Sequence, residues 1–218
     1  SGNPVLSRQP RGSVLALFQR YRLHSDRKTV LIFGGSRGAH SLNVAVADML
    51  IRFHGREDVQ FVIQTGPEDH AMVLEKARAS GVTALVKPYL SPMEEFYTLA
   101  TLVVCRAGAM TLAEVTQFAL PAVLVPYPHA IYQHQLKNAE ILRDKGAAEL
   151  LLDRDMTPQT LADRIEALLA DEGRRRDLAR NAWKLARPDA HERVVNAIEQ
   201  LTHPVARRQP LDMDQEEA

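Results

Sequence analysis

The sequence predicts an α/β fold built on a doubly wound parallel sheet of about six strands. Three observations point there. Apolar runs such as Thr29-Val30-Leu31-Ile32-Phe33 and Leu102-Val103-Val104 are continuous rather than alternating, as in strands covered on both faces. Helical stretches of about 10–15 residues separate these runs, with short loops between, which is the rhythm of repeated βαβ units. Two of the runs end in small-residue turns, Gly34-Gly35-Ser36-Arg37-Gly38 and Arg106-Ala107-Gly108, that open into a helix. In such a sheet the crossovers are right-handed and ligands lie beyond the carboxyl ends of the strands.

In chain order, residues 1–27 read as a connector broken by Gly2, Asn3, Pro4, Pro10 and Gly12, with a short helix over 13–21. The first strand, 29–33, leads to a helix over 39–52. The second strand, 59–63, precedes a helix over 68–80, and the third is 83–86. Lys87-Pro88-Tyr89-Leu90-Ser91-Pro92 is a loop whose prolines favour extended residues before them. A helix over 93–100 reaches the strand 102–104, and the helix after it carries Thr111 in its first turn and Glu114 in its second. The fifth strand, 122–125, is ended by Pro126 and Pro128. A polar loop then enters a helix over 133–145, and Gly146 stands where a left-handed stop is expected. The sixth strand is 148–151. Thr157-Pro158 is an N-cap with proline at the first helical position, and Leu161, Ile165, Leu168 and Leu169 follow at helical spacing. Helices over 174–186 and 190–201 close the domain, leaving 202–218 as a polar tail expected to be disordered.

With 218 residues, 45% hydrophobic and 25% charged, the chain has the composition of a globular domain with a sizeable core. A formal net charge of zero argues against a nucleic-acid binder acting through bulk positive charge. The single Cys105 excludes an internal disulfide and a Cys-based zinc site, and its place at a strand end reads as buried and inert. No apolar run approaches the roughly 20 residues of a membrane span and no signal peptide is visible, so the expectation is cytosolic. The opening Ser1-Gly2-Asn3-Pro4, without Met, reads as the interior of a longer protein.

The chemistry concentrates at three loops on the carboxyl rim, which the topology turns towards one crevice. Val104 to Glu114 makes strand, tight turn and helix N-terminus, where the first N–H groups lack partners and the helix dipole is positive, so it suits an anion. Gly108 and the flanking alanines allow a diphosphate close to the backbone, and Glu114 can accept from a ribose diol. An ordinary βα turn with a solvated Glu114 is the plain alternative. The 34–38 turn lacks the Lys-Ser/Thr ending of a P-loop and the spacing of the dinucleotide fingerprint. In the third loop, Gln135 and Asn138 lie three apart on one helix face, where amides can read sugar hydroxyls. His129 or His134 could reach a phosphate. As zinc ligands these two are five apart with no third ligand near, and the alternative is that they cap a solvated helix start.

Taken together, Gly34-Gly35-Ser36-Arg37-Gly38-Ala39, Val104-Cys105-Arg106-Ala107-Gly108-Ala109-Met110-Thr111-Leu112-Ala113-Glu114, Leu120-Pro121-Ala122, Val125-Pro126-Tyr127-Pro128-His129 and His134-Gln135-Leu136-Lys137-Asn138-Ala139 resemble the MurG family. These are peptidoglycan N-acetylglucosaminyltransferases that convert lipid I to lipid II. The likeness spans nearly all of 1–201 and matches the family's C-terminal half. It implies one Rossmann-like half of a GT-B glycosyltransferase, with residues 28–201 as the UDP-GlcNAc-binding domain and 1–27 as the interdomain connector. Carried over by motif position, Ser36 would lie near the donor phosphates and the Leu90 backbone would hold the uracil edge. Ala109, Met110, Thr111, Leu112 and Ala113 would meet the diphosphate and nucleoside, and Glu114 the ribose hydroxyls. Gln135 and Asn138, with His134 beside them, would read the GlcNAc.

The resemblance further implies an inverting transfer without a metal or other cofactor. Lipid I and the membrane would be contacted through the N-terminal half, on the cytoplasmic face of the inner membrane, and the catalytic base would lie there too. Nucleic acid is not an expected partner. The family usually has Arg directly after Gly-Asn-Pro-Val, where this chain has Leu6 with Arg8 nearby, and often Gln where it has Arg37. Other readings are a donor subunit of a different GT-B UDP-sugar transferase, half of a UDP-GlcNAc 2-epimerase, and a non-catalytic nucleotide-sugar-binding module.

Overall fold

The computed structural model describes residues 3, 5, 13–35 and 38–202. Leu6, Arg8, Ser36, Arg37 and the expected tail from 203 onwards lie outside the described residues.

Six strands form one sheet: β1 (Lys28–Phe33), β2 (Val59–Gln64), β3 (Ala84–Lys87), β4 (Leu102–Cys105), β5 (Ala122–Leu124) and β6 (Glu149–Leu150). Their order is β3-β2-β1-β4-β5-β6 and every pairing is parallel, with Ile32 opposite both Ile63 and Val104. The order reverses between β1 and β4, so the crevice expected of a doubly wound sheet opens between the turns that follow these two strands.

The strands are apolar on both sides because helices cover both. Val30, Ile32, Leu102 and Val104 face a layer made with α2 (His40–Met49), α3 (His70–Ser80) and α7 (Pro158–Ala170). Leu31, Phe33, Val103 and Cys105 face the opposite layer, from α1 (Val14–Arg20), α4 (Met93–Leu99), α5 (Ala109–Gln117) and α6 (His134–Asp144). In α8 (Glu172–Leu185), Leu178 joins the first layer and Ala182 the second, so this helix bridges the sheet edge; α9 (Ala190–Thr202) follows it.

Three local results refine the expectations. Residues 13–27 are packed rather than a free connector: Leu17 is fully buried, and Arg20 and Tyr21 both bond Glu95 of α4. Burial and the Glu95 carboxylate push the Tyr21 phenol up to about 12. Next, α6 begins at His134 and not at Gln133, because Tyr132 and Gln133 adopt φ of 52° and 55° and close a short 3₁₀ turn before it. Finally, α8 starts at Glu172, two residues before the expected 174, because the Asp171 side chain accepts from the Arg174 N–H at 2.8 Å. The Thr157 cap stands as expected, with Pro158 at the first position.

Candidate functional site

The site is built where β4 ends. Gly108 is the N-cap of α5 in extended conformation, φ −66° and ψ 145°, and no side chain caps the helix. The Leu112 N–H bonds the Gly108 carbonyl at 2.9 Å, so the N–H groups of Ala109, Met110 and Thr111 are the ones left without a helical acceptor. Ala109 and Met110 are exposed at this end. Leu112 and Ala113 differ from the expectation for them. Their side chains lie on the other flank of α5, in a hollow shared with Leu185 and Arg187, and Leu112 is buried in the core.

Thr111 and Glu114 face a cavity of ≈ 190 Å³ together with Gly35, Gln64, Leu90 and Tyr97. Leu90 from the 87–92 loop therefore meets Thr111 and Glu114 of the 104–114 stretch here. The Tyr97 hydroxyl donates to Glu114 Oε2 at 2.7 Å. Burial raises the Glu114 carboxyl above its ordinary value; the Tyr97 hydrogen bond acts the other way, and the charge of Glu94 adds to the rise. Burial and the adjacent Glu114 together hold the Tyr97 phenol far above the usual range. Cys105 is wholly buried behind them, and desolvation keeps its thiol protonated, in line with an inert role.

Gln64 fixes the two walls of this cavity. Its Oε1 accepts from the Leu90 N–H at 2.8 Å, and its Nε2 donates to the Gly35 carbonyl at 3.0 Å. Leu90 thus has its N–H engaged within the fold, and no donor among the described residues reaches its carbonyl.

The third loop stands apart from the Glu114 cavity. Gln135 Oε1 accepts from the Tyr127 N–H at 3.0 Å, and His134 Nδ1 lies 2.7 Å from the Ile131 carbonyl. Asn138 Nδ2 donates to the Ala107 carbonyl at 3.3 Å, so of the three it is the one tied to the α5 turn. This loop lines a second cavity of ≈ 360 Å³ with Leu136, Arg143, Asp153 and Arg154, and His134, Gln135 and Asn138 line neither this cavity nor the Glu114 one. The His129 ring packs against Tyr127 with centroids 5.6 Å apart. Among the described residues, no group of three or more His, Cys, Asp or Glu is placed to hold a metal ion, and no helix is long and apolar enough to cross a membrane.

Buried Arg106 anchors the base of the rim. It donates to the carbonyls of Val125 and Pro126 at 3.1 and 3.2 Å, to Ser41 Oγ at 2.7 Å, and to the Asp153 carboxylate. The sequence singles out neither Gln64 nor Tyr97, and it names Arg106 within the turn motif without a role. A polar residue closing an apolar strand was a usable signal for Gln64; nothing local marked Tyr97.

Comparison with known proteins agrees with this architecture. A protein of Desulforamulus reducens is 33% identical over 91% of this chain and 54% of its own length. One of Anaeromyxobacter sp. strain K is 38% identical over 92% of this chain and 51% of its own. Both are named UDP-N-acetylglucosamine--N-acetylmuramyl-(pentapeptide) pyrophosphoryl-undecaprenol N-acetylglucosamine transferase. The crystal structure of MurG from Acinetobacter baumannii superposes with a TM-score of 0.72 at 29% identity, over 86% of this chain and 55% of that one. The chain spans about half the length of the relatives it matches. Residues 29–194, from the first strand into α9, match the glycosyltransferase family 28 C-terminal domain, and it is to this family that the chain belongs.

Proposed function

We propose that the chain is the donor-binding half of an inverting UDP-GlcNAc transferase that converts lipid I to lipid II, a reading supported by relatives named as N-acetylglucosamine transferases to N-acetylmuramyl-(pentapeptide) pyrophosphoryl-undecaprenol. The observation that carries this is the meeting of Leu90, Thr111 and Glu114 in one cavity beside the uncapped N-terminus of α5. The Leu90 carbonyl accepts from a pyrimidine N–H, Glu114 accepts from the ribose diol, and the free N–H groups of Ala109, Met110 and Thr111 receive the diphosphate. Gly108 supports this placement. Its backbone φ is ordinary, and a Cβ there meets nothing closer than Thr111 Oγ1 at 3.7 Å, so the fold leaves room for a ligand against the turn. The cavity is smaller than the roughly 300 Å³ at which ligand pockets begin. It suits a nucleoside, with the rest of the donor lying across the rim towards Asn138, Gln135 and His134.

In the reaction an acceptor hydroxyl attacks the anomeric carbon, the glycosidic bond to UDP breaks, and the electron pair leaves on the diphosphate. Helix N–H dipoles fixed in advance stabilise that charge without a metal. The base, lipid I and the cytoplasmic membrane surface belong to the other half of the full-length protein. Ser36 is proposed at the phosphates by motif position alone.

Calorimetric titration with UDP, UDP-GlcNAc and UDP-GalNAc tests this. We expect UDP and UDP-GlcNAc to bind, and Glu114→Ala to weaken both by about 10-fold or more, the scale of a hydrogen bond to a charged group. Absence of binding at millimolar ligand, or binding indifferent to Glu114→Ala, overturns the reading.

A further inference from the structure

We propose that Tyr97 is a positioning residue that aims the Glu114 carboxylate, so that preference for a ribo- over a 2′-deoxyribonucleotide belongs to the Tyr97–Glu114 pair and not to Glu114 alone. The inference rests on the nucleotide-binding reading above.

Tyr97 is 2% exposed, and its ring is fixed on two sides, by Phe33 with centroids 5.9 Å apart and by Phe118 at 5.1 Å. Held this way, the hydroxyl has one direction to point, and it meets Glu114 Oε2 at 2.7 Å. A glutamate has three side-chain torsions and the last is soft, so a carboxylate in a half-open cavity without a fixed donor samples many orientations. With Oε2 anchored, Oε1 is the oxygen left to accept from a cis-diol in the cavity that Glu114 lines. The groups that bear on Glu114 are Tyr97 and Glu94 from α4 and Cys105 from β4. Of these, Tyr97 is the one that donates to it, while Glu94 disfavours its charged form. Removing the hydroxyl therefore frees the carboxylate to rotate and makes its ionised form harder to hold.

The test compares UDP with 2′-deoxy-UDP on the intact chain and on Tyr97→Phe, across pH 5–8, each reported as the ratio of the two affinities so that ligand phosphate titration cancels. The parent prefers UDP, and Tyr97→Phe lowers that preference by about 5-fold, within the range for an ordinary net hydrogen bond, while 2′-deoxy-UDP affinity stays near the parent value. The pH at which the preference disappears moves upward in the variant. A merely structural role weakens both nucleotides alike and leaves the ratio and its pH midpoint unmoved, which overturns the inference. Should Tyr97→Phe be too unstable to titrate, Phe118→Leu keeps the hydroxyl but loosens the ring. It must then lower the ratio in the same direction, and an unchanged ratio refutes the role. If the parent binds neither nucleotide, the underlying nucleotide reading fails instead.

Discussion

Two glycine turns flank the switch point, one after β1 and one after β4, and they look alike in sequence. The fold uses their glycines differently. In the first turn Gly38 sits at φ +80°, and a Cβ there would stand 2.1 Å from the Thr65 carbonyl oxygen. Gly34 is equally crowded, its Cβ position lying 2.3 Å from Ala39 Cβ. In the second turn Gly108 has unstrained backbone, and its Cβ position makes only an ordinary contact, 3.7 Å from Thr111 Oγ1. The first turn therefore needs glycine to pack β1 against the β2 loop. The second has no such need, and its glycine keeps the helix end uncovered.

The largest effect that sharpens this contrast is on folding. Gly38→Ala should destabilise the domain by about 2–4 kcal/mol, since it combines a left-handed φ with a clash against backbone that cannot yield. Chemical denaturation reads this directly, and a loss under about 1 kcal/mol would remove the packing explanation. Gly108→Ala should lose no more than about 1 kcal/mol, the difference between glycine and alanine at an N-cap. Its UDP affinity should nevertheless fall by about 10-fold, because the added methyl occupies the approach to the Ala109–Thr111 N–H groups. Calorimetry on the folded variant decides this: unchanged affinity would mean that the second turn is a helix cap and nothing else.

The fold was largely legible because its signals are local or periodic. Short, mainly apolar runs marked all six strands, and Thr157-Pro158 marked a helix start through chemistry that needs only neighbouring residues. What failed depended on less common backbone or on distance. Positive φ at Tyr132 and Gln133, neither of them glycine, delayed α6 by one residue, and Asp171 capped α8 across a glycine that masked the start. In the site, Glu114, Thr111 and Leu90 could be named from their turns and motifs. The partners that fix them could not: Tyr97 reaches Glu114 from 17 residues away, and Gln64 reaches Leu90 from 26. Motif position alone assigns Leu112 and Ala113 to the site, whereas helical periodicity turns their side chains to the opposite flank.

The same division extends to the carboxylates behind the two turns, and it yields the smallest and most diagnostic effect. Asp69, behind the first, is pushed up by burial, but hydrogen bonds from Asn43 Nδ2 at 2.7 Å and from His40 outweigh this and hold it below its ordinary value. Its contribution to stability is present above the unfolded carboxyl pKa and is lost as pH falls through the lower folded value. Glu114, behind the second, is raised mainly by burial, so the sign reverses. The stability tied to its protonated form is complete below the unfolded glutamate pKa of about 4.3 and is lost as pH rises through the higher folded value. Ionising Glu114 thus costs the fold stability, in part offset by the Tyr97 hydrogen bond. Glu114→Gln, which stays neutral, should melt at the same temperature as the parent at about pH 4 and slightly above it at pH 7, by on the order of 1–2 °C, while UDP binding weakens by up to about 10-fold. A variant that melts lower than the parent at pH 7 would show that Glu114 stabilises the fold as Asp69 does, and the two turns would then differ only in their glycines.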